Sequence, residues 1–186
     1  MNTEPQAAPE MDEPYDEALT LPDMAIDPEA LLLCALLWME TGTPTTRFVV
    51  DYVDPQDFYN PSYARLFSII AQHVSDEKPV HPATIAGRIS AAGTTEPWPG
   101  GSHQMFIADL VHLGALPEQA HWYAEQVLST SYRRQFHTMT QALAHAAEHA
   151  PENQLFSIMV EHGKAQRRAW SRRTEFAKLV KEPSKK

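Results

Sequence analysis

The chain has 186 residues, of which 43% are hydrophobic and 21% charged, a composition typical of one folded domain with tails and not of a wholly disordered chain. The longest apolar run, Ala30 to Met39, is about half of the ~20 residues that span a bilayer, so we expect no membrane span. Cys34 is the only cysteine, which excludes an internal disulfide, and the acidic N-terminus lacks the pattern of a secretory signal. We therefore expect a cytoplasmic protein.

The net charge of −9 is distributed unevenly along the chain. Residues 1–46 carry ten acids and no Lys or Arg, residues 47–162 carry twelve acids and six bases, and residues 163–186 carry nine bases and two acids. Such a bipolar chain can associate head to tail with itself or a neighbour, or contact a polyanion through its basic end. It lacks the broad basic face that is typical of a nucleic-acid-binding domain.

The predicted elements are all helices, and each begins with a recognisable start signal. Residues 1–26 are rich in Glu, Asp and Pro and predict a disordered acidic tail. Asp27-Pro28-Glu29 places an N-cap, a proline and an acid in the order typical of a first helical turn. The helix over 28–40 is apolar on every side, which predicts a position at the centre of the core. Asn60-Pro61 and His81-Pro82 repeat the N-cap and proline pattern.

Further helices are predicted around these starts. Residues 47–53 are β-branched enough for a strand, but the helical surroundings favour a helix. Gly93 predicts the end of the helix that starts at position 82, and 94–102 predicts a loop because of its prolines and glycines. Helices resume near 103–113 and again after position 117. The stripe after Asn60 has helical spacing and consists of Tyr63, Leu66, Phe67, Ile70 and Val74.

From Ala120 onward the apolar residues follow a narrow seam of the coiled-coil type. Pro151 interrupts the seam, and the helices on either side of it predict an αα-hairpin. This seam exceeds what two helices hide on their own, which indicates a partner or self-association; simple packing of the hairpin on itself is the alternative. The candidate interface residues are Tyr132, Phe136, Met139, Leu143, Leu155 and Met159.

The sequence thus predicts an all-α protein with a globular multi-helix head followed by an αα-hairpin. We place the head at 27–128 and the hairpin at 129–176. The predicted acidic tail precedes the head, and a basic tail over 177–186 follows the hairpin.

Four groups of residues, in a fixed order, resemble the N-terminal domain of the DnaB family of replicative helicases. The resemblance covers roughly 27–170, with Cys34 where the family has glycine and His81 where it has aspartate. The four groups are the lead helix 29–37, Asp57-Phe58-Tyr59 with Arg65-Leu66-Phe67, Pro79-Val80 with Thr84-Ile85, and the stretch 121–134.

In that family the hairpins pair subunits into a ring-shaped collar, and the same surface receives the primase. The resemblance therefore implies a non-catalytic interaction module that forms a homo-oligomer, a dimer or a ring, and binds a replicative helicase or primase, with no cofactor. The family's motor domain carries a Gly-x-x-x-x-Gly-Lys-Ser/Thr loop that cradles phosphates, and no such loop occurs in these 186 residues. We therefore expect a stand-alone domain that is not an enzyme.

The alternative function is that of a small accessory protein that binds DNA through its basic C-terminal helix. Trp170 and Phe176 could stack on the bases of single-stranded DNA, as aromatic side chains of single-strand binders do. The competing interpretation is an exposed basic tail that meets the acidic N-terminus of its own chain or of a neighbour. The candidate phosphate contacts are Arg167, Arg168, Arg172 and Arg173.

A third hypothesis is a metal-dependent hydrolase. Residues 145–149 spell His-x-x-Glu-His, which places His145 and His149 one helical turn apart and suits zinc, with Glu148 as a general base. A third ligand is missing from any recognisable motif, and the segment falls at the polar end of a hairpin helix. We therefore predict a solvated helix end, with no metal site and no catalytic residue.

Overall fold

The structure, a computed structural model, describes residues 24–40, 42–93 and 98–181. Within these ranges the chain forms seven α-helices and no strand, which confirms the predicted all-α class. Three single 3₁₀ turns lie between them, at Pro55–Asp57, Pro99–Gly101 and Pro117–Gln119. The helices are α1 (Pro28–Leu37), α2 (Pro44–Tyr52), α3 (Pro61–Ser75), α4 (Pro82–Ala92), α5 (His103–Val111), α6 (Ala120–His149) and α7 (Glu152–Lys181).

The helix starts follow the predicted N-cap signals. Asp27 and Asn60 each accept a hydrogen bond from the backbone N–H two residues further on, at 2.9 Å. His81 does the same through Nδ1 at 3.4 Å, the longer bond expected of a poorer cap. Thr43 caps α2. The stretch 47–53, whose sequence also suits a strand, is helical as predicted through Tyr52, and Val53 is the C-cap.

The helix α1 lies at the centre of the head, as predicted, and packs against α3, α5 and α6. Eight of its ten residues are buried. The five stripe residues of α3 are buried as well. In α4, Ile85 and Ile89 face the core as expected, whereas Ala92 in the last turn is exposed. Gly93 ends α4 with φ of 66°, a conformation that costs glycine little because it has no Cβ.

The two hairpin helices are far longer than the others. With 30 residues each, α6 and α7 are about 45 Å long at 1.5 Å per residue. The first half of α6 packs on the head, the second half extends beyond it, and α7 returns antiparallel along α6. Ala150 adopts an extended conformation at the break and Pro151 follows it, so the predicted interruption is confirmed.

Parts of the predicted domain division lie outside the described residues. The acidic tail falls there up to residue 23, as do residues 94–97 of the predicted loop and residues 182–186 of the basic tail. Met24, within the predicted tail, is 5% exposed and belongs to the core. Because α6 crosses position 128 without a break, the boundary between head and hairpin stays a prediction.

Glu29 is a buried carboxylate at the start of α1. Its two oxygens accept hydrogen bonds from the backbone N–H groups of Tyr59 and Asn60, at 2.6 and 3.2 Å, which ties α1 to the turn before α3. Burial raises the pKa of Glu29 above its ordinary value, and the two backbone hydrogen bonds oppose that rise. This carboxylate therefore positions two core helices at an electrostatic cost.

The raised pKa of Glu29 gives a testable pH dependence. In the pH range between its ordinary and its raised pKa, the folded protein binds this proton more readily than the unfolded chain does, so lowering the pH stabilises the wild type. Glu29→Gln removes that gain. We compare the two proteins by the difference in their free energies of unfolding, variant minus wild type. We expect this difference to be highest at pH 7 and to decrease as the pH falls toward 5. Urea unfolding at several pH values measures it, and a difference that stays constant or increases would contradict the assignment.

Candidate interaction surface

A buried carboxyl group joins the head to both hairpin helices. The side chain of Asp57 is 0% exposed, and its Oδ1 accepts hydrogen bonds from Ser131 Oγ on α6 and from Arg172 Nη2 on α7, both at 2.7 Å. Its Oδ2 accepts from the backbone N–H of Asp54 at 2.8 Å. The other terminal nitrogen of Arg172 binds the carboxylate of Asp54. One guanidinium is thus held between two carboxylates of the head.

Two further contacts hold the base of the hairpin against the head. Arg134 on α6 donates from Nη2 to the backbone oxygen of Asp57 at 2.7 Å. Phe176 on α7 is fully buried and stacks on Phe48 of α2, with ring centroids 4.7 Å apart and planes 11° apart. The ring of Tyr52 meets Phe176 edge-on at 5.8 Å. Together these contacts fix which side of the hairpin faces the head.

The four arginines proposed as phosphate contacts do not form one surface. Arg172 lies in the junction and Phe176 in the core, so neither is presented to a ligand as the sequence analysis expected. Arg173 is half-buried, with its guanidinium 5.7 Å from the ring centroid of Tyr132, while Arg167 and Arg168 are exposed. Five residues advance a helix by 500°, or 140° around its axis, so pairs spaced by five point to different sides.

Among the described residues, only the two hairpin helices themselves cover the outer half of the hairpin. Between residues 132 and 168, Ala146 alone is buried. Of the six predicted interface residues, Phe136 and Met159 project, with 47% and 50% of their surface exposed. Phe156, which the sequence analysis did not select, is 73% exposed. The four other predicted interface residues are half-buried along the hairpin, namely Tyr132, Met139, Leu143 and Leu155.

Five of the six large exposed apolar residues of the two helices lie on one side of the hairpin, and the sixth, Leu179, lines a groove with Met39 and Thr43 of the head. In an antiparallel pair of right-handed helices, each helix has positions that face the partner helix. On both helices, the residue immediately after such a position points to the same side of the pair. The exposed residues at such positions define what we call the free face, which comprises Trp122 and Phe136 on α6 and Phe156, Met159 and Trp170 on α7. The head contacts of Arg134 and Arg172 fall on the opposite side.

Charge divides the free face into two zones. Residues 135–163, which form the outer half, carry three glutamates and no Lys or Arg. Residues 164–181, which return to the head, carry seven Lys or Arg and one glutamate. The outer zone, with Phe136, Phe156 and Met159, is therefore sparsely charged. The inner zone, which comprises the returning helix and the first half of α6 beside it and contains Trp122 and Trp170, is basic.

The residues of the hydrolase hypothesis lie near the tip of the hairpin. The rings of His145 and His149 stack with centroids 4.3 Å apart, and Nδ1 of His149 donates to the backbone oxygen of His145 at 3.0 Å. Throughout the described ranges, no three His, Cys, Asp or Glu side chains cluster closely enough to hold a metal ion. Cys34 is buried beneath α5, and burial raises the pKa of its thiol. No helix in the described part of the chain is long and apolar enough to cross a membrane.

Comparison with known proteins identifies the family of this all-α head and its docked antiparallel hairpin. The family model described as DnaB-like helicase N terminal domain matches residues 21–129, more than half of the chain. The chain therefore belongs to the DnaB-like helicase N-terminal domain family, which confirms the resemblance stated from the sequence. No curated protein sequence matches it.

A solved structure supports the fold. The chain is similar to the crystal structure of the N-terminal domain of DnaB helicase from Mycobacterium tuberculosis, with a TM-score of 0.59 and 16% sequence identity. The match covers 75% of this chain and 93% of that one. At this identity the likeness shows the shared fold alone.

The Asp57 junction makes a prediction for stability. Arg172→Met leaves the buried carboxyl without its cation, so we expect the free energy of unfolding to fall by about 2–3 kcal/mol, as for a buried charge that loses its partner but keeps hydrogen bonds. Arg168→Met, at an exposed position of the same helix, is the matched control and should change it by less than ~0.5 kcal/mol. Urea unfolding measures both, and equal stabilities of the two variants would contradict the role of the junction.

Proposed function

We propose that this chain is a non-catalytic interaction module that pairs through the outer zone of its free face. Its context is the assembly or regulation of a replicative helicase or a primosome. Membership of a helicase N-terminal domain family supports the replication context, since the matched family is defined by the N-terminal part of the helicase. The observation that carries the pairing is the outer zone itself, where large apolar side chains extend beyond the head.

The apolar residues of the outer zone gain by being covered. Phe136 and Met159 are about half exposed and Phe156 about three-quarters exposed, on a helix pair that buries one alanine over its outer half. Burying such side chains contributes roughly 1–2 kcal/mol each, and contiguous apolar patches of this kind mark protein interfaces. A second copy supplies the same surface, so a two-fold arrangement buries both patches together.

The charge of the outer zone suits burial too. A charge that is removed from water without a partner opposes association, and residues 135–163 contain no Lys or Arg. The basic residues start at Lys164, which pairs with Glu161 at 3.0 Å. Pairing through the outer zone therefore removes few charges from water, whereas pairing through the basic zone would bring like charges together.

The second part of the proposal concerns the partner outside the chain, a replicative helicase or its primase. Co-sedimentation of the purified chain with each of them tests it. A complex that is lost when Phe136 and Met159 are substituted supports a shared surface for self-association and partner binding. Failure to form a complex with either protein at micromolar concentrations would contradict this part of the proposal. Self-association would then be the only remaining part.

The pairing surface is tested by charged substitutions. In a two-fold dimer each substitution occurs twice, and burying an unpaired carboxylate costs several kcal/mol, so we expect Phe136→Glu and Met159→Glu each to weaken self-association at least ~100-fold. The measurement is the weight-average mass by light scattering over a range of concentrations.

The matched control for these variants is Leu116→Glu, because Leu116 is an exposed apolar residue of the head, with 54% of its surface accessible. It should keep the wild-type mass. A wild-type monomer at all concentrations, or equal masses for all three variants and the wild type, would overturn the pairing proposal.

A further inference from the structure

We infer that the inner zone of the free face binds single-stranded nucleic acid, with bases stacked on Trp122 and Trp170 and phosphates held by Arg167 and Arg173. This surface differs from the one proposed from the sequence, because Arg172 and Phe176 are committed to the head.

Two indoles from different helices are presented to solvent in this zone. Trp122 on α6 is 55% exposed and Trp170 on α7 is 51% exposed. Indoles that are about half exposed on the surface of a helix pair offer part of their flat faces to solvent. Stacking of a base on such a face is tolerant of sequence and contributes about 1–3 kcal/mol per base in single-strand binders.

An arginine lies beside Trp122 in an open groove. Arg173 lines a groove of about 370 Å³ together with Trp122, Gln126 and Ser129. The guanidinium of Arg173 lies 5.7 Å from the ring centroid of Tyr132, a cation–π arrangement that holds a long side chain in place. The groove thus combines a cation, an aromatic face and neutral hydrogen-bonding side chains, which are the groups that a nucleotide requires.

The positive charge of the returning helix α7 extends the site along the sugar–phosphate backbone of a bound strand. Apart from Arg172, residues 164–181 carry six Lys or Arg and a single acid, Glu175. Arg167 is exposed and lies three residues, nearly one helical turn, before Trp170, so a strand whose base stacks on this indole has a cation within reach of its phosphates. One carboxylate, Glu125, lines the groove and opposes a polyanion.

The arrangement favours a single strand over a duplex and over an acidic protein. In a duplex the base faces are stacked on each other and are not free to meet an indole. An acidic helix would use the cations but would leave the two indoles without a matching partner. Interleaved aromatic and basic groups match the alternation of bases and phosphates along a single strand.

The test is a fluorescence anisotropy titration of the full chain with a labelled 20-nucleotide oligo-dT at low and moderate salt. We expect binding that weakens as salt rises, and a loss of roughly 5–100-fold in affinity for Trp122→Ala and for Trp170→Ala. Glu125→Gln should tighten binding, because it removes the one carboxylate that lines the groove. Trp38→Ala, at a head indole with 46% exposure, is the matched control and should bind like the wild type.

Several outcomes would overturn the inference. No binding at low salt rejects the site outright. If both indole variants bind like the wild type while Arg167→Glu abolishes binding, the surface is a general electrostatic one and no stacking site exists. Equal affinity for a duplex of the same length rejects base recognition as well. Phe136→Glu, which addresses pairing, is expected to keep at least part of the affinity per chain, so failure of the pairing proposal and failure of this one are separable.

Discussion

The Asp57 carboxyl group, buried where the turn before α3 meets the hairpin, constrains the rest of this structure. It accepts hydrogen bonds from one residue on each hairpin helix, Ser131 and Arg172, and from the backbone of Asp54. A carboxylate removed from water needs a full set of donors, and here those donors come from three separate elements. Satisfying this group therefore requires that head, outgoing helix and returning helix adopt one relative orientation, which the stacked Phe48 and Phe176 reinforce.

That orientation determines which side of the hairpin remains open. Because Arg134 and Arg172 face the head, the described part of the head does not cover the residues on the opposite side. The aromatic and aliphatic residues there, from Trp122 at the base to Phe156 near the tip, therefore stay exposed to solvent. The change from a sparsely charged outer zone to a basic inner zone then separates the surfaces of the two proposed roles, association of copies and recognition of a single strand.

Much of the fold could be predicted from local signals. Caps such as Asp27 and Asn60 act within one helical turn, so the sequence reports them directly, and the apolar α1 could only be a core helix. The junction could not be found in this way, because Asp57 and Arg172 are 115 residues apart and nothing local marks them as partners. From the sequence alone, Arg172 is for that reason only a candidate phosphate contact of a basic helix. One sequence feature indicates the free face, namely Phe156 directly beside the seam residue Leu155. Which side of the hairpin stays open could not be predicted from the sequence, because it depends on the contact with the head.

The central claim, that copies of this chain associate through the outer zone, is tested most directly by hydroxyl-radical footprinting of the wild type at low and high concentration. The account predicts that oxidation of Phe136, Phe156 and Met159 decreases as the concentration rises, because association covers these side chains. Oxidation of Trp38, which is exposed on the head, should stay constant. Equal oxidation of the three hairpin residues at all concentrations, or protection of Trp38 in their place, would contradict it.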